Sequence, residues 1–173
     1  GEGFDDPPDL PGVLEVRGEV FMTFTGFARM NEAREEAGEQ PFMNPRNATA
    51  GSLKQLDPKM TARRRLWFYA HGRGAVEPDP FACHSDWLAA LRAWGIPVSP
   101  AAHVADDLDA ALQYIEQFDE DRQELDYPVD GVVVKVDRYD QQSALGATSK
   151  APRWCIAYKY APDRAVTTLK QVD

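Results

Sequence analysis

Cysteine is scarce in this sequence of 173 residues, and long apolar runs are missing. Its two cysteines, Cys83 and Cys155, lie far apart and lack the C-x-x-C spacing of a metal or redox motif. We therefore expect reduced thiols of a cytoplasmic protein rather than a disulfide. No apolar run approaches the roughly 20 residues that span a membrane, and no secretory signal pattern is visible. These absences predict a globular domain without a membrane partner, long enough to bury a hydrophobic core.

Acidic residues outnumber basic ones, and the net charge of −9 by itself argues against a polyanionic partner. The charge is unevenly distributed, however. The basic stretch, residues 46–73, holds seven basic residues and one acid, whereas the acidic segment, residues 104–126, holds nine acids and one base. A surface of each sign is therefore expected, and the overall charge conceals the basic one.

Three segments place charge inside apolar, strand-like runs: Leu14–Phe21 (LEVRGEVF), Asp130–Val136 (DGVVVKV) and Ala151–Tyr160 (APRWCIAYKY). Successive side chains of a strand point to opposite faces, so each run presents its charged groups on one face. Because burial of an unpaired charge is costly, such charges indicate a partner or a ligand. An acid and two lysines of this kind suit a ligand that has both hydroxyl and phosphate groups.

Periodicity and capping signals predict the remaining elements. Gly38 and Gly95 are typical helix stops, and Asp57 followed by Pro58 is a typical helix start. Residues 1–13 are expected to form a flexible lead-in. The predicted helices are Phe27–Ala37, Ala48–Gln55, Ser85–Trp94, Asp107–Glu124 and Tyr139–Leu145; the further strands are Leu66–His71, Val129–Val136, Trp154–Tyr160 and Val166–Val172; and Phe42–Asn47 is a predicted loop. This order predicts an α+β fold with mainly antiparallel sheets and flanking helices.

The three charged segments resemble motifs III, IV and V of the nucleotidyltransferase superfamily, which contains polynucleotide ligases and mRNA capping enzymes. A fourth segment, Asn44–Pro58 (NPRNATAGSLKQLDP), narrows the resemblance to the adenylation domain of bacterial NAD-dependent DNA ligase. DGVVVKV occurs across the superfamily, whereas NPRNATAGSL followed by LDP is characteristic of the NAD-dependent branch. The resemblance implies a partial adenylation domain over residues 14–173, with the ATP-grasp-like ligase core as its fold.

One family motif has no counterpart here. The family's nucleophile is a lysine in K-x-D-G, upstream of the first strand motif, and this sequence contains no K-x-D-G. The nearest match is Lys135-Val136-Asp137-Arg138, which has arginine in place of glycine. The resemblance implies that the nucleophile, the OB-fold and the remaining ligase domains belong to a longer parent chain. We therefore expect that this chain alone does not form a lysyl-AMP intermediate.

The resemblance also implies a reaction, with NAD as cofactor, Mg²⁺ as metal and nicked double-stranded DNA as partner. A lysine attacks the α-phosphate of NAD, AMP moves to the 5′-phosphate at the nick, and the 3′-hydroxyl then expels AMP. Each step is an in-line displacement at phosphorus, so the protein mainly positions groups and stabilises charge.

Two acids match motif positions. Glu19 matches the acid of motif III and is expected to bind a ribose hydroxyl of the cofactor; the alternative is a surface salt bridge with Arg17 or with a neighbouring strand. Asp130 opens motif IV, so a catalytic or metal-binding role is implied, since carboxylate oxygen is a natural ligand of Mg²⁺. The alternative is an aspartate that caps a turn before Gly131.

Two lysines and a histidine complete the implied nucleotide site. Lys135 and Lys159 match the lysines of motifs IV and V and are expected to be catalytic and cofactor-binding, near the α-phosphate of AMP. The alternative is that both are solvated lysines on edge strands. His71 is expected to end its strand and to stack on adenine, although a lone histidine is more often structural. We expect Glu19, Asp130, Lys135 and Lys159 to line one concavity, with His71 at its rim.

Three basic residues are the implied contacts to DNA phosphate. Arg46 and Lys54 lie in the NPRNATAGSLKQLDP segment, and Lys54 replaces an arginine that is more common in the family, which removes the planar fork. Arg122 shortly precedes motif IV; its alternative is an ion pair with Glu116, Asp119 or Asp126. The run 63–65 of three arginines either faces DNA or is a solvated surface. The basic stretch is expected to face DNA, with the acidic segment turned away.

Two other functions remain open at this level. The missing nucleophile is compatible with a catalytically inert module that binds nucleotide or DNA. Motifs III, IV and V alone are compatible with an RNA ligase or a capping enzyme, and the NPRNATAGSLKQLDP segment argues against these.

Overall fold

The computed structural model describes residues 9–161 and contains two two-stranded antiparallel sheets with helices around them. The described residues thus confirm an α+β fold with antiparallel sheets. None of the described helices is long and apolar enough to cross a membrane. In chain order the elements are β1 (Val13–Phe21), α1 (Phe24–Glu36), α2 (Pro45–Leu53), α3 (Pro58–Arg63), β2 (Trp67–Glu77), α4 (His84–Ala93), α5 (Leu108–Asp121), a 3₁₀ turn (Arg122–Glu124), β3 (Gly131–Lys135), α6 (Tyr139–Leu145) and β4 (Cys155–Lys159).

The first sheet pairs β1 with β2, and two irregularities in β2 keep its apolar side chains in phase with those of β1. Leu14 lies opposite Val76, and Gly18 lies opposite Ala70. Between the pairs Arg17–Gly72 and Gly18–Ala70, β2 contains one extra residue, His71, which forms a bulge. Without such insertions the alternation of the longer strand would turn its apolar residues away from the core.

The main core lies between one face of this sheet and α4. Its buried residues are Ala70, Val76, Trp87, Leu91 and Val98. Trp87 and Leu91 are completely buried and lie one helical turn apart on α4, so a single face of this helix covers the sheet. The opposite face of β1, which bears Glu15, Arg17 and Glu19, is exposed. The alternation predicted for LEVRGEVF is therefore confirmed.

Local capping explains where the helices begin and end. Asp57 caps α3 through a hydrogen bond of 2.9 Å from the Lys59 amide, as predicted. Gly38 and Gly95 follow α1 and α4 with φ of +71° and +76°, which confirms them as helix stops. Helix α1 begins earlier than predicted, at Phe24, because Thr23 caps it.

The predicted loop Phe42–Asn47 is wrong at its C-terminal end, because α2 begins at Pro45. The side chain of Asn44 accepts a hydrogen bond of 2.8 Å from the Asn47 amide and caps the helix. Proline suits the first helical position, since its fixed φ is helical and its missing N–H would have no partner there. The NPRN sequence is thus a helix start.

The predicted strand Leu66–His71 is too short, since β2 continues to Glu77. Pairing with Val13–Arg17 of β1 stabilises an extended backbone beyond His71. Val13 belongs to β1, so the expected lead-in overlaps it by one residue, and the strand predicted at Val166–Val172 lies outside the described residues.

Helix α6 spans Tyr139–Leu145 as predicted, whereas α5 ends at Asp121 and the last three residues of the predicted helix form the 3₁₀ turn. On α5, Ile115 and Phe118 are buried, but Leu108 and Leu112 remain 70% and 46% exposed. Only the C-terminal half of the apolar face of α5 is therefore covered by described residues. The second sheet pairs β3 with β4, from Gly131 opposite Lys159 to Lys135 opposite Cys155.

Candidate functional site

Lys135 connects the two sheets. At the end of β3, its Nζ atom donates a hydrogen bond to the backbone carbonyl oxygen of His71 in β2. The same Nζ lies 3.5 Å from Nε2 of His84, the first residue of α4. Partial burial lowers the pKa of Lys135 from its ordinary value of 10.5. Lys135 is therefore ordered by the His71 carbonyl and the His84 ring. It is not the solvated edge-strand lysine of the alternative interpretation.

The carbonyl that receives Lys135 belongs to the bulge residue of β2. Because His71 has no register partner on β1, its backbone does not take part in the regular pairing between the two strands. Its side chain is exposed. The prediction that His71 ends its strand is wrong, while its stacking on adenine stays a prediction.

Asp130 and Lys159 form a pair at the other end of the second sheet. Their carboxylate oxygen and Nζ are 3.4 Å apart, and the two side chains are 69% and 72% exposed. Exposed pairs of this kind contribute little to stability, so both groups are available to a ligand. Lys135 and Lys159 lie on the same face of the hairpin. Lys159 is opposite Gly131, and Lys135 lies four residues after Gly131 on the same strand, where every second residue points to the same face.

Packing against β4 requires a glycine at the first position of β3, directly after Asp130. A Cβ atom at Gly131 would overlap the carbonyl oxygen of Tyr158, which is backbone and cannot rotate away. Glycine therefore lets β3 and β4 pair closely at the point where Asp130 and Lys159 meet. This gives a structural reason for the D-G pair of DGVVVKV.

Glu19 lies on the exposed face of β1, opposite Tyr69 of β2. Its carboxylate has no hydrogen bond or ion pair with any residue between 9 and 161, because Arg17 pairs with Glu15 at 2.8 Å instead. The alternative of a Glu19–Arg17 salt bridge is thus wrong. A surface carboxylate that none of the described residues binds can accept hydrogen bonds from a ligand.

An aromatic cluster brings the segment before β3 to the face of the first sheet that bears Glu19. Tyr127 lies 4.9 Å from Phe21 and 5.7 Å from Tyr69, measured between ring centroids. In addition, Asp126 accepts hydrogen bonds of 3.0 Å from the amide and the hydroxyl of Thr25. These contacts and the Lys135–His71 bond join the two sheets beside Glu19, whereas Asp130 lies at the opposite end of β3 from Lys135.

The sequence predicted that the site residues line one concavity. In the structure, the described contacts join them in two separate groups. Lys135 contacts His71, and Asp130 contacts Lys159. Sequence reasoning missed His84, which has no motif around it. Only the pairing of α4 with the end of β3 brings this residue to Lys135, so no local sequence signal could have identified it.

Arg46 and Lys54 lie near opposite ends of α2, and both are exposed. Neither side chain has a hydrogen bond or an ion pair with a described residue. The buried side of this helix is formed by Ala48, Thr49 and Ser52. Helix α2 therefore packs through its small residues and presents its two basic side chains to solvent.

Arg122 has structural partners. It pairs with Asp119 at 2.7 Å, donates to the carbonyl oxygen of Val129 at 3.0 Å, and lies 4.7 Å above the ring of Tyr160. Of the three ion-pair partners considered, Asp119 is the observed one, since Asp126 bonds to Thr25. Arg122 thus fixes the segment that leads into β3, and its contact with phosphate stays a prediction.

A groove of about 440 Å³ lies elsewhere, between α1 and the end of α3. Its walls carry five arginines and one acid, Glu39, which pairs with Arg34. Arg64 donates to the buried hydroxyl of Ser52 at 3.0 Å, which joins this groove to α2. Arg65 has a φ of +47°, an uncommon conformation for a residue with a side chain. The other arginines of the groove are Arg29 and Arg63.

The described residues contain no group of three or more histidine, cysteine, aspartate or glutamate side chains that could hold a metal ion. Asp130 is a single carboxylate with one neighbouring lysine. Such a site fits a Mg²⁺ ion that keeps most of its waters and binds mainly to phosphate. Cys83 and Cys155 are both free thiols, as expected.

The chain is similar to known proteins over most of its length. The protein-family model described as NAD-dependent DNA ligase adenylation domain matches residues 6–163 of the chain. The chain is 47% identical over 173 residues to a DNA ligase of Bifidobacterium animalis subsp. lactis, covering 95% of this chain and 20% of that protein. It is 47% identical to a DNA ligase of Geotalea daltonii (96% and 24% covered) and 48% identical to one of Desulforudis audaxviator (95% and 25%).

The chain therefore spans between a fifth and a quarter of the length of these bacterial relatives. Because the matched region includes both sheets and every predicted site residue, the chain belongs to the family of the NAD-dependent DNA ligase adenylation domain.

Proposed function

We propose that this chain is the part of an NAD-dependent DNA ligase that binds the adenylate and stabilises charge at its α-phosphate. The observation that carries the proposal is the junction of the two sheets. Near it lie an acid without a partner between residues 9 and 161, Glu19, and an ordered lysine, Lys135, which come from distant segments. In the parent enzyme, meaning a full-length ligase that contains this chain, the junction binds AMP during nick sealing.

Each residue has a role that its surroundings support. Glu19 accepts hydrogen bonds from the ribose hydroxyls. Lys135 and Lys159 donate to the phosphate oxygens, on which negative charge develops as the displacement proceeds. His71, exposed on the bulge of β2, stacks on the adenine ring. The nucleophilic lysine that forms lysyl-AMP comes from a K-x-D-G segment outside these 173 residues.

The cofactor is NAD and the metal is Mg²⁺. The metal, when bound, supplies positive charge that offsets the phosphate oxygens. Asp130 would provide one carboxylate ligand for it, in exchange for its exposed contact with Lys159.

The proposed partner is nicked double-stranded DNA, contacted through phosphates rather than bases. Arg46 and Lys54 on the exposed face of α2 are supported as phosphate contacts by having no partner among the described side chains. The arginine groove beside α2 extends the same positive surface. Contacts of this kind strengthen binding without reading sequence, which suits an enzyme that recognises a nick.

The experiment is nick sealing by the parent enzyme with single substitutions at the junction. Glu19→Ala and Lys135→Ala should reduce kcat/KM at least about 100-fold, which corresponds to roughly 2.7 kcal/mol of transition-state stabilisation. Lys150→Ala removes an exposed lysine of the loop between α6 and β4 and is the matched control. Wild-type sealing by both junction variants would refute the proposed function.

A second function, an inert nucleotide- or DNA-binding module, is favoured by one observation, the missing K-x-D-G. It applies to the 173-residue chain by itself. Titration of the chain with AMP and with a nicked duplex tests it: binding of either ligand without any covalent adduct is the expected signature of such a module.

A further inference from the structure

His84 lies at the first position of α4, where its side chain is half-buried between β2, β3 and α6. Its two ring nitrogens face different partners. Nε2 lies 3.5 Å from Nζ of Lys135, and Nδ1 lies 3.3 Å from the hydroxyl oxygen of Tyr139. The ring therefore connects the ordered lysine of the proposed site to a tyrosine outside it.

The partners fix the tautomer of this ring. A lysine ammonium group can only donate, so Nε2 must accept and carries no proton. Burial and the nearby charge of Lys135 lower the pKa of His84 to about 4, and the ring is neutral at pH 7. A neutral imidazole with a bare Nε2 has its proton on Nδ1, which then donates to Tyr139.

The backbone around His84 is held in place from several directions. Its amide donates to the carbonyl oxygen of Asp137 at 2.8 Å, and both the amide and the hydroxyl of Ser85 donate to the Asp137 carboxylate at 2.7 Å. The guanidinium of Arg73 covers the ring of Tyr139 at 3.7 Å. A residue anchored in this way can fix the position of a flexible side chain that it contacts.

We propose that His84 is a positioning residue for Lys135: its neutral ring accepts a hydrogen bond from the ammonium group and, with the His71 carbonyl, sets where that charge lies. The proposal rests on the proposed function of Lys135 at the phosphate. Lysine has four rotatable side-chain bonds and loses considerable entropy when ordered. If the lysine is already ordered before the ligand binds, this entropy is not lost during the reaction, and the reaction is faster.

Protonation of His84 should break this arrangement. In the doubly protonated ring both nitrogens carry a proton and can only donate. Nε2 could then no longer accept a hydrogen bond from the Lys135 ammonium group, and the two positive charges would repel each other. The titratable or charged groups that face the ring come from β2, β3, α6 and the segment between β3 and α6. They are His71, Arg73, Lys135, Asp137 and Tyr139.

The test uses NMR of the 173-residue chain with ¹³C-labelled lysine between pH 7.5 and pH 3.5. It follows the chemical shifts of the side-chain Cε and Hε signals of Lys135, which are assigned by their loss in Lys135→Arg. In the wild type these signals should shift together with the His84 ring signals, with a shared midpoint near pH 4. His84→Gln cannot titrate, so the shift should disappear. The matched control His103→Gln replaces an exposed histidine stacked on Tyr114 and should keep it.

Persistence of the shift in His84→Gln would assign it to a carboxylate such as Asp137 and would overturn the proposal, as would its absence from the wild type. Should acid unfold the chain first, the comparison at pH 7 decides. His84→Phe removes the acceptor while filling the space, and the Lys135 signals must then move away from their wild-type positions. Unchanged signals there would overturn the proposal, and circular dichroism checks that each variant is folded.

Nick sealing by the parent enzyme separates this proposal from the proposed function. If Lys135→Ala seals like the wild type while the signals remain coupled, the function of Lys135 is refuted and its contact with His84 stands. If Lys135→Ala fails to seal while His84→Phe neither shifts the signals nor lowers kcat, only the positioning role is refuted. The expected result is a roughly tenfold lower kcat for His84→Phe, with partial rescue by His84→Gln, whose amide oxygen can still accept.

Discussion

The carbonyl oxygen of His71 accepts a hydrogen bond from Nζ of Lys135, although the two residues lie 64 positions apart in the sequence. The bond joins a bulge in the first sheet to the end of a strand in the second. It is possible because the bulge residue has no partner on β1. Lys135 is thus placed by a backbone irregularity in β2.

Replacement of Gly131 should destabilise the second sheet. The added Cβ of Gly131→Ala would overlap the Tyr158 carbonyl oxygen, and relieving that contact must separate β3 from β4. We expect a loss of about 1–3 kcal/mol in the free energy of unfolding, measured by urea denaturation. Gly72→Ala is the matched control, since its Cβ would meet only Arg17 at 3.8 Å. Equal stability of the two variants would contradict this role of Gly131.

Acidification should destabilise the chain through His84. Its pKa is about 4 in the folded state against 6.5 in the unfolded state, so the unfolded chain binds the proton first as the pH falls. The free energy of unfolding should therefore decrease between about pH 6.5 and pH 4, with no further loss from this group below that range. The loss should be about 1–2 kcal/mol, since the partly solvated ring is screened.

Denaturation of His84→Gln at several pH values checks this assignment. The variant should show a flatter dependence on pH than the wild type, whereas His103→Gln should retain the wild-type slope. A slope that is identical in all three proteins would show that other groups control acid stability.

The two exposed basic residues of α2 should govern DNA affinity in the parent enzyme. Arg46→Ala and Lys54→Ala should each reduce the slope of log affinity against log salt by about 1, since each removes one phosphate contact. Lys54→Arg should retain or raise activity, because arginine provides a bidentate fork. The measurement is nicked-duplex binding and sealing at two salt concentrations.

Glu120→Lys on α5 is the appropriate control for that series. Asp119 is unsuitable, because its ion pair with Arg122 stabilises the segment that leads into β3. If the α2 variants behaved like the wild type and Glu120→Lys failed to seal, the assignment of the DNA-facing side would be reversed.

The 173-residue chain should not become adenylylated when incubated with radiolabelled NAD and Mg²⁺. Covalent transfer needs a nucleophile in reach of the phosphate, and Lys135 and Lys159 are assigned to phosphate binding. Gel analysis and mass spectrometry measure the label. A stable AMP adduct on Lys135, Lys159 or another lysine would refute this expectation, and a longer chain that includes K-x-D-G is the positive control.

Several elements were predictable because their signals are local. Asp57 followed by Pro58 indicates a helix start in any context, and Gly38 indicates a stop. Alternation in LEVRGEVF identified β1 and its exposed charged face. The missed starts of α1 and α2 also carry local signals, the caps Thr23 and Asn44, whereas the error at the end of β2 arose because a distant partner decides the outcome. β2 extends past His71 only because β1 is long enough to pair with it.

The sequence by itself determined the family and the residue types that carry charge into the sheets, since motif spacing and side-chain alternation are properties of the chain. Only the tertiary structure decided which charges are free and which are paired. Glu19 has no partner in the described part of the chain, Arg122 is bound by Asp119, and Lys135 reaches His71 and His84. The physical reason is that hydrogen bonds and ion pairs act over a few ångströms, and residues this far apart in sequence meet only after the sheets and α4 have packed.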